Sequence, residues 1–99
     1  MLTVGSVALM TADALTSAQR QQALPIVGPG ASWGLATAVN LEAAEPGMAP
    51  GRWGWDGGTG TTAHVDPVRG VVGVLLTQRA MTGPLDGFGD FWTAMAAAA

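Results

Sequence analysis

The chain has 99 residues, of which 48% are hydrophobic and only 11% charged, with a net charge of −3. That balance excludes a disordered segment, and four scattered arginines (Arg20, Arg52, Arg69 and Arg79) without any lysine disfavour nucleic-acid binding. Without cysteine, and with His64 as the single histidine, the chain holds no disulfide, no thiolate metal site and no histidine zinc site.

The opening residues 1–10 lack a basic n-region and an A-x-A cleavage site, so no signal peptide is expected. That favours the cytoplasm, with localisation otherwise open. Residues 6–10 are compatible with a short helix. Thr16 and Gln19 form a capping box that opens a second helix over residues 17–23. Pro25, Gly28, Pro29 and Gly30 then break the chain. From residue 32 to 41, Trp33, Leu35, Thr37, Val39 and Leu41 alternate with Gly34, Ala36, Ala38 and Asn40, the two-residue period of one strand with a large and a small face. Residues 42–51, with Glu45, Pro46, Gly47 and Pro50, read as an exposed loop.

The most informative stretch is 51–79, where a Trp/Gly-rich turn precedes two apolar strands. Gly57, Gly58 and Gly60 allow backbone to approach a ligand, and Trp53 and Trp55 supply a rigid wall, which predicts the edge of a binding cleft. Residues 59–65 read as a strand, 66–70 as a hairpin connection, and 71–78 as a strand buried on both faces. The run Val71–Leu76 is far shorter than the roughly 18 residues a membrane span requires. Thr82, Gly83 and Pro84 mark a helix start, and Leu85, Phe88, Phe91, Trp92 and Met95 follow helical spacing as core residues rather than a cofactor box. Trp33 reads as core, Trp53 as cleft lining or sheet cap, Asp56 as an exposed turn aspartate and His64 as a half-exposed strand residue. Together these elements predict an α+β domain over residues 1–99: a three-stranded antiparallel meander with a packed C-terminal helix and short N-terminal helices. So small a sheet leaves edges and one face open, and so apolar a chain predicts that further protein covers them.

Residues from about Ser6 onward resemble the end of serine hydrolases of the β-lactamase and penicillin-binding-protein superfamily, closest to its esterase and class C-like branch. The resemblance rests on Val7 to Leu15, Gly30 to Gly34, Pro50 to Pro67 and Leu75 to Arg79, including the P-G-R-x-G-W-x-G-G-x-G-T pattern, the Asp66-Pro67 turn and the strand end L-T-Q-R. It implies a partial β-lactamase/transpeptidase-like fold in which Trp55-Asp56-Gly57 stands at the third motif, the strand facing the nucleophilic serine. By the same resemblance, Trp55, Asp56 and Gly57 border substrate and the backbone N–H of Gly58 belongs to the oxyanion hole.

The rest of the machinery departs from that pattern. No lysine exists to complete S-x-x-K and no tyrosine is present, while Ser6, Ser17 and Ser32 stand in no activated setting. Ser17 is followed three residues later by Arg20, whose guanidinium stays protonated and is no base. The expectation is a C-terminal segment of a serine esterase or acyl hydrolase, inactive alone, acting on a small-molecule ester or amide once complete. No metal or organic cofactor is implied. The alternative is a non-catalytic protein that dimerises or binds a partner through its open sheet.

Overall fold

A computed structural model describes residues 1–43, 47–83 and 86–99. Glu45 and Pro46 of the expected loop, and Pro84 and Leu85 of the expected helix start, lie outside the described residues.

Two short helices come first. Helix α1 (Val4–Met10) is capped by Thr3, whose side chain accepts from the Ser6 N–H. Helix α2 (Ser17–Val27) opens on the expected capping box, with Thr16 and Gln19 each accepting from the other's backbone N–H. It passes through Pro25 and ends at Gly28, whose φ of 83° suits a residue without Cβ. The sequence had placed its end before the proline. A proline in the last turn removes one backbone bond without unwinding what precedes it, so the helix gains a further turn.

The sheet has five antiparallel strands in sequential order, β1 (Ala31–Trp33), β2 (Ala38–Asn40), β3 (Trp53–Gly57), β4 (Thr61–Asp66) and β5 (Val71–Leu76). The α+β class and the C-terminal helix agree with the sequence, but the expected three strands are too few. Residues 32–41 are two strands joined by a tight turn in which the Gly34 N–H donates to the Thr37 carbonyl at 2.8 Å. Gly34 lies so close to the Met10 carbonyl that a Cβ there would collide with it. Alternation of large and small residues runs on through such a turn, so a period of two conceals it. The Trp/Gly-rich stretch supplies the other extra strand: Trp53 to Gly57 is paired along its length with β4, and the turn itself is confined to the next few residues.

A second correction concerns β5, expected to be buried on both faces. Among the described residues it pairs with β4 alone, and its outward residues Val72, Val74 and Leu76 are 64%, 57% and 76% exposed. Its inward face carries Gly73, which sits beneath helix α3 (Gly89–Ala98). That helix starts later than the Thr82–Gly83 signal suggests. Thr82 instead donates its N–H and hydroxyl to the Asp86 carboxylate, closing a loop ahead of the helix.

The β4–β5 hairpin is fixed by Asp66, whose Oδ1 accepts from the N–H groups of Val68 and Arg69 while Oδ2 takes Arg69 Nη1 at 2.8 Å. At the other end, Asp13 clasps helix to sheet. It accepts from the buried Ser32 hydroxyl and from Arg20 Nη1, the latter at 2.7 Å. Among the described residues the buried apolar side chains are Ala31, Val39, Ala49 and Trp92, against six buried polar ones including Asn40, Arg52, Thr62 and His64. The interior is therefore organised around hydrogen bonds as much as around apolar contact. Of the helix residues expected in the core, Trp92 is buried while Phe88, Phe91 and Met95 are half-buried.

Trp92 packs directly on Gly73, where a Cβ would stand 2.5 Å from its ring. A Gly73→Ala substitution forces the indole off the sheet and should cost about 1–3 kcal/mol, read as a lowered midpoint in urea unfolding.

Candidate functional site

The β3–β4 register sets Asp56 opposite Thr62 and Gly54 opposite His64, so these residues share the sheet face beneath α3. Lacking a side chain, Gly54 leaves room on one side of the His64 ring, and Gly73, paired across β4–β5, leaves room on the other. Trp92 closes the site from above. Its Nε1–H donates to Thr62 Oγ1 at 3.1 Å and its ring meets His64 edge-on with centroids 5.1 Å apart. The Arg52 guanidinium lies 4.2 Å from the Trp92 ring centroid, and its Nη1 donates to Asn40 Oδ1 at 3.3 Å.

His64 is accordingly buried rather than half-exposed, with Nε2 3.1 Å from Asp56 Oδ1 and Nδ1 enclosed without a hydrogen-bond partner among the described residues. The period-two reading placed it on the correct face but carried no information about the glycines that make a pocket for its ring. Asp56 is likewise a part-buried strand residue rather than an exposed turn aspartate. Burial pushes its carboxyl up. Hydrogen bonds from His64 and Thr62, with the charges of His64 and Arg52, more than reverse this and hold it below the usual carboxylate range.

These residues border a cleft of about 720 Å³, within the size range of small-molecule sites. Trp55, Asp56 and Gly58 line it together with Asn40, Arg52 and His64, and Ile26, Met48, Met81 and Phe88 give it an apolar side. Gly58 is exposed at the turn, with open space where a Cβ would stand, and its carbonyl accepts from the Met81 N–H at 2.9 Å. Gly57 closes the strand just before it, close enough to Thr61 that a Cβ would meet the hydroxyl. Trp55 also packs edge-on against the half-buried Trp33, with ring centroids 4.9 Å apart. Trp53 pairs with Val39 and Val65, does not border the cleft and so caps the sheet; Trp55 shares its sheet face by strand alternation, opposite to Asp56, yet still borders the cleft.

None of the three serines borders this cleft. Ser32 is buried against Asp13, Ser17 Oγ accepts from Arg20 Nη2, and Ser6 bonds to Thr3. Of the residues the sequence singles out, Trp55, Asp56 and Gly58 line the cleft and Gly57 does not, while Asn40 and Arg52 line it without having been singled out. The signal available was the strand period itself: with Asp56 inward, Gly54 and Arg52 share its face.

No protein-family model, curated protein or solved structure matches the chain. Among the described residues no helix is long and apolar enough to cross a membrane, and no cluster of three or more His, Asp or Glu is placed to hold a metal ion.

The carboxyls of Asp13, Asp56, Asp66 and Asp86 are all held below their ordinary value of 3.8. A depressed folded-state value means stability that is fully present above 3.8 and is lost as the pH falls through the folded values. Urea unfolding midpoints should therefore hold steady from neutral pH down to about 4 and drop below it. Asp66→Asn, which removes the charge paired with Arg69, should flatten part of that drop.

Proposed function

We propose that the chain is the C-terminal segment of a β-lactamase-like serine hydrolase acting on small-molecule esters or amides. The observation that carries this reading is the placement of Trp55-Asp56-Gly57 at the end of β3, with Gly58 opening onto the cleft. A wall of that shape suits acyl transfer. A serine Oγ supplied by the rest of the enzyme adds to the substrate carbonyl, negative charge gathers on the carbonyl oxygen, and a backbone N–H at Gly58 stabilises it. Collapse expels the alcohol or amine, and water then cleaves the acyl-serine ester. The segment contributes the hydrogen-bond donor to the developing oxyanion, not the nucleophile.

The uncovered apolar surface adds support. Val72, Val74 and Leu76 stand on one face of β5, with Ala63 and Trp55 in register beside Val74 across β4 and β3. A patch of this kind is normally covered by other protein. The same open edge at β5 favours a second reading, a non-catalytic protein that dimerises there.

Two measurements separate them. The 99-residue chain should hydrolyse p-nitrophenyl esters no faster than buffer; turnover that survives replacement of Ser6, Ser17 and Ser32 by alanine would overturn the hydrolase reading. When an upstream-encoded S-x-x-K segment is supplied, activity should emerge. In that assembly Gly58→Pro, which deletes the N–H, should lower kcat on the order of 10²-fold, whereas Gly58→Ala, with open space for its methyl, should be tolerated. A cooperatively folding, inactive dimer in a native mass measurement would instead favour the second reading.

A further inference from the structure

We infer that Asp56 is the anchor for a primary ammonium group on a ligand whose apolar body lies along the far side of the cleft. A carboxylate offers about four lone-pair positions. In Asp56, His64 Nε2 occupies one of them. The Asp56 side chain remains 27% exposed and borders the cleft, so acceptor positions stay open to whatever enters.

An ionised carboxylate only accepts, which selects a donor group over a second acid. Burial also strengthens its attraction for a cation relative to a surface aspartate. The protein donor is locked by packing, His64 lying between two glycines and against the Trp92 ring, so the carboxylate is oriented before a ligand arrives. Asp86 borders the same cleft and adds a second negative charge, engaged by Arg79 and Thr82, and the positive charge of Arg52, which also borders the cleft, is directed at the Trp92 ring and Asn40. Opposite this polar wall, Ile26, Met48, Met81 and Phe88 form an apolar side suited to a hydrocarbon or aromatic body.

As a statement about substrate, this rests on the hydrolase reading and names esters or amides that bear an amine. As a statement about binding it needs no nucleophile, so the two fail separately.

The probe is benzylammonium, titrated into the 99-residue chain at neutral pH and compared with benzyl alcohol and benzoate of the same size. Chemical shifts of the Trp92 indole N–H and the Gly58 amide provide the readout. The ammonium should saturate both signals, bind on the order of tenfold more tightly than the alcohol, and weaken as salt is raised. Asp56→Asn should remove that preference while leaving the alcohol's weak binding unchanged. Should that variant lose its dispersed spectrum, the wild-type comparison of ammonium with alcohol decides. Equal binding of the alcohol or the benzoate, an unaltered preference in a folded Asp56→Asn variant, or no saturable binding of the ammonium would overturn the assignment.

Discussion

The contact between Trp92 and the sheet is the constraint on which the remaining structure depends. One indole closes the inner face: its N–H satisfies Thr62, its ring rests on Gly73, its flank meets His64, and Arg52 stacks upon it. Each of those partners is a polar or small residue that would be costly or useless in a conventional apolar core. With the ring in place they become an ordered network at the wall of a cleft. The large side chain thus does two things at once, excluding water from the hydrogen bonds and leaving space beside them.

Much of the secondary structure was legible because local chemistry decides it. The Thr16–Gln19 capping box, the Asp66-Pro67 hairpin connection and the apolar run of β5 rest on interactions within a few residues of one another, which a sequence displays directly. The split of residues 32–41 into two strands was hidden because its cause lies elsewhere, in the approach of Gly34 to the Met10 carbonyl. The exposed face of β5 was hidden for a related reason. Hydrophobicity shows that a strand seeks cover, but not whether the covering surface belongs to the same chain.

The site divides along the same line. Trp55, Asp56 and Gly58 were visible as a glycine-flanked turn, and they do line the cleft. The burial of His64 was invisible, since it arises from two glycines on neighbouring strands and an indole twenty-eight positions away in the chain (92 − 64). Asn40 and Arg52 were read as part of a strand and a turn, yet their pairing over Trp92 makes them cleft residues. Polar groups drawn inward while Val72, Val74 and Leu76 face outward describe a sheet that is polar toward its cleft and apolar on the outer side of β5.

The strictly sequential strand order has a consequence for how the chain organises itself. Every ladder joins neighbours in the chain, most across a few residues and β2–β3 across residues 41–52, so closure costs little entropy and no strand waits for a distant partner. The zippering of the meander is thereby uncoupled from the docking of the last helix, whose indole must reach back thirty residues to Thr62. A nascent chain would lay down its ladders as they emerge and lock the cleft only once Trp92 has followed them.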